Sequence, residues 1–161
     1  MPHICIVTPH QIGCNPRVVK EADALHEAGH EVSVIATRML GHHVEARDQA
    51  LMRRIRWRLE RIDLRSRVRW KLLRVGQLGA QYAHVATGLG RYADVGFRAY
   101  TRPLRWAALA TSADLYLAHY PAALPAVAAA ARKYGARYAY DAEDFHLGDW
   151  PDTPSYDIER R

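Results

Sequence analysis

The first 37 residues contain the pattern that most restricts the fold, because they read as a complete strand, helix, strand unit. Residues 4–7 form a short apolar run without alternation, which is typical of a strand buried on both faces. Asn15 can cap the following helix, and Pro16 suits its first position. Gly29 suits the helix end, and Val32 begins a second strand. A strand that returns after one helix predicts a parallel crossover.

The rest of the chain continues this alternation of strands and helices. Its further elements are predicted from apolar periodicity, helix caps and glycine stops: strands at 56–64, 114–119 and 137–140, and helices at 66–88, 94–110 and 122–134. The predicted fold class is therefore α/β, with a Rossmann-like, doubly wound and mostly parallel sheet.

The length of 161 residues suits one domain with a proper core and is short for two typical domains. We expect residues 1–161 to form a single Rossmann-like domain. Cys5 and Cys14 do not make a disulfide framework, and the N-terminus lacks a signal-peptide pattern. No apolar run approaches the ~20 residues that span a bilayer. We expect a cytoplasmic protein, with any membrane contact peripheral and at the inner face.

The positive charge of the chain is concentrated in one segment. Between Arg53 and Arg74 there are ten Lys or Arg against Glu60 and Asp63, a net of +8, whereas the whole chain carries +6. Any function of the positive charge is therefore expected to involve this segment.

Three interpretations of the basic segment remain open. It can be a solvated face in which Arg stems cover apolar surface. Basic residues interleaved with aromatic rings also suit an anionic membrane surface. Nucleic acid is the weakest alternative, since no recognisable motif accompanies the charge. The residues of this predicted membrane or anion patch are Arg53, Arg54, Arg56, Trp57, Arg58 and Trp70.

Ligands of a doubly wound sheet bind beyond the carboxyl ends of its strands. This rule selects polar residues that follow each predicted strand, which we expect to converge in space: Thr8, His10 and Gly13; Thr37 and Arg38; His119 and Tyr120; and Asp141, Glu143, Asp144 and His146.

Each of these signals also has a structural interpretation. The helix start at Asn15 would suit phosphate, but the loop has one glycine, so a plain turn is equally compatible. His119 can be a buried core histidine, and the acidic run 141–144 can be a loop that starts a helix. No metal site is predicted: Gly29 separates His26 from His30, and a third ligand is missing.

Several segments resemble the N-terminal domain of glycosyltransferase family 4. The segments that carry the resemblance are Asn15-Pro16-Arg17-Val18, Glu21-Ala22, the run Glu27 to Val32 with Val34 to Ala36, Ala113 to Tyr116, Ala118-His119 and Tyr140 to Asp144. The resemblance covers both ends of the chain and is poor over residues 40–105.

This resemblance implies the N-terminal, acceptor-side half of a GT-B enzyme, a retaining, metal-independent hexosyltransferase that uses a nucleotide-diphosphate sugar as substrate and no cofactor. It implies that the loop His10 to Asn15 lies near the donor phosphates and that His119 is the catalytic residue contacting the sugar. The donor and acceptor site would then include His10, Gly13, Asn15, Arg17, Tyr120, Asp141, Glu143 and Asp144. Gly13 stands alone where the family often has paired glycines, and Glu143 replaces a family histidine.

The nucleotide-sugar domain of such an enzyme is absent from the sequence, which ends in a helix-like start at residues 155–161. We therefore expect a truncated or split product that is inactive without its C-terminal domain and takes that domain as a partner. The alternative is a non-catalytic binding module that docks on an anionic membrane or a protein partner through the basic segment.

Overall fold

Five parallel strands form one sheet at the centre of the computed structural model, which describes residues 1–39 and 42–142. The strands are β1 (His3–Val7), β2 (Glu31–Arg38), β3 (Arg58–Asp63), β4 (Leu115–His119) and β5 (Arg137–Asp141). Their order is β3-β2-β1-β4-β5, and all neighbours pair in parallel. The chain runs outward from β1 to β3 and then continues on the other side of β1. This arrangement confirms the predicted doubly wound α/β fold.

Six α-helices connect the strands within the described part of the chain. They are α1 (Pro16–Glu27), α2 (His42–Met52), α3 (Arg67–Thr87), α4 (Gly90–Gly96), α5 (Thr101–Ala110) and α6 (Leu124–Tyr134), with 3-10 turns at Ile12–Cys14 and Pro121–Ala123. Gly29, Gly88 and Gly135 follow α1, α3 and α6 with φ of 90°, 67° and 65°. Glycine adopts this left-handed conformation without the steric penalty of a Cβ, so these predicted helix ends are confirmed.

Both faces of strands β1 and β2 are buried, which explains why these strands lack alternation. Ile6 of β1 packs with α1 and with Leu51 of α2 on one face. Cys5 and Val7 pack with α5 and α6 on the other face. Successive residues of a strand point to opposite faces, so every residue of a central strand must be apolar or well paired.

The prediction of one helix over 94–110 is wrong, because the structure has α4 and α5 there with a break between them. The carbonyl oxygen of Gly96 accepts hydrogen bonds from the side-chain amides of Gln77 (3.1 Å) and Gln81 (2.9 Å) of α3. A Cβ on Gly96 would lie 3.1 Å from the backbone nitrogen of Gln81. Close packing on α3 therefore ends α4. Helix α2 was not predicted at all.

Candidate functional site

The loops after β1 and β4 lie side by side at the carboxyl edge of the sheet, where the strand order changes direction. The His10 ring lies edge-on to the Tyr120 ring, with centroids 4.1 Å apart and planes at 60°. These residues are 110 positions apart in sequence. The predicted convergence of strand ends thus holds for His10, His119 and Tyr120, and the region between these two loops is called the crevice below.

His119 is the last residue of β4 and is fully buried. Its Nε2 lies 2.6 Å from Oε2 of Glu21, and its Nδ1 lies 3.8 Å from Oδ2 of Asp141. The imidazole therefore joins α1 to β5 with a carboxylate near each ring nitrogen. This geometry fixes the orientation of the ring. The catalytic role of His119 stays a prediction.

Arg17 and Glu21 are four residues apart on α1 and therefore project from the same helix face. Arg17 Nη1 lies 3.4 Å from both carboxylate oxygens of Asp141. The four residues Arg17, Glu21, His119 and Asp141 are called the central cluster below. Sequence analysis missed Glu21 as a site residue, although its spacing from Arg17 was the available signal.

Tyr120 has an unusual backbone conformation, with φ 64° and ψ 151°. It is the one non-glycine residue with positive φ in the part of the chain that the structure describes. A side chain in this region costs about 1–3 kcal/mol relative to glycine. The strain directs the ring against His10 immediately after His119.

The loop after β1 is held by its own polar groups. Thr8 Oγ1 accepts hydrogen bonds from the His10 backbone N–H (3.3 Å) and from Nδ2 of Asn15 (3.4 Å). Asn15 Oδ1 accepts from the Val18 N–H at 3.2 Å, which confirms the predicted helix cap. Both ends of the buried Asn15 amide are thus used within the loop, and its ligand-binding role stays a prediction.

Gly13 is explained by contact with α2. Its N–H donates to Oδ1 of Asp48 at 2.7 Å, and a Cβ would stand at the same distance from that oxygen. Asp48 is fully buried and also faces Nη1 of Arg61 at 3.4 Å. Gly13 therefore lets the loop approach a buried carboxylate, while its predicted contact with a ligand stays a prediction.

A second group of charges lies at the β2 and β3 end of the same edge. Arg38 bonds Glu45 (2.7 Å) and Asp63 (3.3 Å), and Arg61 reaches Glu45 at 3.2 Å. Thr37 instead donates its hydroxyl to the Pro9 carbonyl. We call the five residues Arg38, Glu45, Asp48, Arg61 and Asp63 the outer cluster.

Neighbouring arginines favour the ionised form of two carboxylates of the outer cluster, Glu45 and Asp63. The hydrogen bond from Arg38 is the largest cause that holds the pKa of Glu45 below its ordinary value, and Arg61 adds to it. The pKa of Asp63 is lowered further, chiefly because the Arg65 side chain donates to this carboxylate, with the Arg65 N–H adding. Arg38 was predicted to join the ligand crevice, but its bonds instead tie it to the outer cluster.

The predicted role of Trp57 at a membrane interface is wrong. Trp57 is 5% exposed and belongs to the core, and its Nε1 donates to Oδ1 of Asp23 at 2.8 Å. Trp70 is half-buried and packs on the core at the other face of the sheet, the face that α5 and α6 cover. The four remaining residues of the predicted patch are exposed arginines: Arg53, Arg54, Arg56 and Arg58. Because Trp57 is buried, these arginines do not form a common surface with its ring.

Two predicted site residues, Glu143 and Asp144, lie outside the described residues, as does His146. Within residues 1–39 and 42–142, no group of three or more His, Cys, Asp or Glu side chains is placed to hold a metal ion. Over the same residues, no helix combines the length and apolar character needed to cross a bilayer.

Comparison with known proteins gives distant structural likenesses. No family model matches the chain, and no curated protein matches it in sequence. A solved structure from Methanocaldococcus jannaschii, described as a predicted subunit of a tRNA methyltransferase, is similar in fold. It has a TM-score of 0.45 and 10% identity, and the match covers 88% of this chain and 69% of that one.

The expected identification as a glycosyltransferase family 4 domain is therefore corrected. No model of that or any family matches the chain, and no curated protein matches it. The expectation of a hexosyltransferase, the N-terminal half of a GT-B enzyme, is corrected with it. The segments that suggested it form β1, α1, β2 and β4, which any doubly wound sheet contains. Docking through the basic segment with Trp57 is likewise not supported.

Proposed function

We propose that this protein binds a phosphorylated small molecule, such as a nucleotide, in the crevice between the loops after β1 and β4. The observation that carries the proposal is the strained backbone of Tyr120, whose ring is held against His10. Strain of this kind persists only where the surrounding structure enforces it, and it concentrates at ligand sites. The crevice also lies where doubly wound sheets bind their ligands.

Arg17 supplies the charge that a phosphate requires. Its side chain is 54% exposed, and its contact with the 39% exposed Asp141 is long, at 3.4 Å. Exposed ion pairs contribute about 0–1 kcal/mol, so Arg17 can exchange this carboxylate for a phosphate at little cost. Arginine also binds phosphate through two parallel N–H groups. His119 and Glu21 act as positioning residues, because they fix α1 relative to β4.

The test is calorimetric titration with ADP, UDP and inorganic phosphate at constant ionic strength. Arg17→Gln should weaken nucleotide binding at least tenfold. The matched control is Arg137→Gln, because Arg137 is exposed at the opposite edge of the sheet, where β5 begins. Equal affinity of the Arg17→Gln and Arg137→Gln proteins, or no binding of any probe at millimolar concentration, would refute the proposal.

Tyr120→Gly separates function from folding. Glycine relieves the positive φ, so this variant should be no less stable than the parent, while losing the ring against His10. We expect retained or increased stability with weakened nucleotide binding. Unchanged binding would show that the strain has no functional role.

We propose, as a second function, peripheral contact with an anionic membrane through α3. Six apolar side chains of this helix are each more than half exposed at spacings of three or four residues: Val68, Leu72, Val75, Leu78, Tyr82 and Val85. The same helix carries four Lys or Arg and no Asp or Glu. A basic helix with one apolar stripe is suited to lying in the headgroup region of anionic lipid.

Sedimentation with vesicles of phosphatidylserine and phosphatidylcholine tests this surface. Binding should fall with added salt, and Val75→Glu should abolish it. Tyr138→Ser is the control, because Tyr138 is an exposed apolar side chain on β5. Loss of binding in both variants, or binding that salt leaves unchanged, would argue against α3 as the contact.

A further inference from the structure

The flank of α1 that faces α2 carries a groove separate from the crevice. Its volume is about 430 Å³, and it lies between the 3-10 turn after β1, α1 and α2. The floor includes the buried apolar side chains of Ile12, Val19 and Leu51. Arg17 and Glu21 project from the opposite flank of α1 toward β4 and β5. The groove and the crevice therefore use different faces of the same helix.

Three cations stand at the rim of the groove, namely Lys20, Arg47 and Arg54. All three are exposed, and none makes an ion pair within residues 1–39 and 42–142. The carboxylates of α2 do not neutralise them, because Glu45 and Asp48 bond Arg38 and Arg61 instead. An anion at the rim would be attracted by all three charges.

Asp23, the acidic residue among those that line the groove, already accepts a hydrogen bond. The donor is Nε1 of Trp57, and the acceptor is Oδ1 of Asp23. The walls are firmly placed, because the Gly13 N–H bonds Asp48 and brings α2 against the loop. A positively charged rim above an apolar floor thus exists before any ligand arrives, which reduces the entropy lost on binding.

We infer that this groove binds a small amphiphilic organic anion, with a phosphate or carboxylate head at the cations and an apolar body on Ile12, Val19 and Leu51. The volume is within the range of ligand pockets, about 300–1,000 Å³. Apolar contact supplies affinity through burial, and the rim selects the sign of the head group. A purely polar anion would lack the apolar contact with the floor, and a neutral apolar molecule would lack the attraction to the rim cations.

Octyl phosphate, below its micellar concentration, is the probe, with inorganic phosphate and 1-octanol as its two halves. We expect octyl phosphate to bind at least tenfold more tightly than either half. Titration followed by amide shifts should move the resonances of Gly13 and Val19. Equal binding of octyl phosphate and octanol, or shifts confined to other regions, would overturn the inference.

Two kinds of variant locate the site. Lys20→Gln with Arg47→Gln should weaken octyl phosphate binding at least fivefold, whereas Arg53→Gln, an exposed arginine outside the groove, should not. Ala50→Trp should block the groove without removing a charge, since Ala50 is exposed on its wall. Octyl phosphate should still shift the Gly13 and Val19 resonances in the Arg17→Gln and Val75→Glu proteins, because neither residue lines the groove. Loss of those shifts in either of these two proteins would place the probe in the crevice or on α3.

Discussion

The two charge clusters at the carboxyl edge of the sheet differ in how completely their members are paired. In the outer cluster every residue meets at least two partners, and Asp48 at its centre is fully buried. In the central cluster the Arg17 to Asp141 contact is long and more than a third exposed on both sides. The outer cluster therefore forms a closed structural network. In the central cluster, Arg17 can exchange its contact with Asp141 for a contact with a ligand.

The backbone next to each cluster shows the same difference. Beside the outer cluster, Gly13 relieves a close approach, because a side chain there would collide with Asp48. Beside the central cluster, Tyr120 retains a strained conformation that glycine would relieve. Glycine thus avoids a steric clash at Gly13, where the contacts are structural. Backbone strain is retained at Tyr120, where we propose that the protein binds a ligand.

Removing Asp48 should give the largest effect, because it breaks the closed network. Asp48→Ala leaves the Gly13 N–H and Arg61 without this carboxylate, and we expect a loss of about 3 kcal/mol of unfolding free energy. Urea denaturation measures it. Asp48→Asn retains an oxygen for Gly13 and should lose less. If Asp48→Ala lost under 1 kcal/mol, the outer cluster would not be the stabilising network described.

The fold could be predicted because its signals are local. The strand 4–7 needed only an apolar run, and the end of α1 needed only Gly29. Helix α2 has no comparable apolar stripe, and what fixes it is contact with distant residues, since Asp48 meets Gly13 and Glu45 meets Arg38. Long-range bonds of this kind leave no periodic pattern in the sequence.

The candidate site could be predicted in part for the same reason. The rule that strand ends meet at one edge brought His10 and Tyr120 together, as observed. It could not identify Glu21, which reaches His119 from a helix face. It also could not show that Trp57, surrounded by arginines in sequence, is buried against Asp23. The direction of a side chain depends on neighbours that the local pattern does not contain.

Acid should weaken the outer cluster. The folded-state pKa values of Glu45 and Asp63 lie below their unfolded values, so their contribution is present above about pH 4 and is lost as the pH falls toward the folded values. The urea concentration at the unfolding midpoint should therefore decrease once the pH is lowered below about 4. Glu45→Gln should make this decrease smaller, whereas Glu27→Gln, which removes an exposed acid at the end of α1, should not. The same decrease in both variants would contradict a stabilising role for ionised Glu45.

The smallest effect on stability is expected at Arg17, and it distinguishes the two clusters most sharply. A double-mutant cycle with Arg17→Gln and Asp141→Asn should give a coupling free energy below about 1 kcal/mol, because both side chains are more than a third exposed and their contact is long, at 3.4 Å. The coupling should shrink further in 0.5 M salt, since exposed charges are screened. A coupling above about 2 kcal/mol would show that Arg17 is committed to Asp141, as Arg61 is to its carboxylates. Redirecting Arg17 to a phosphate would then carry a large penalty, and the crevice would lose its cation.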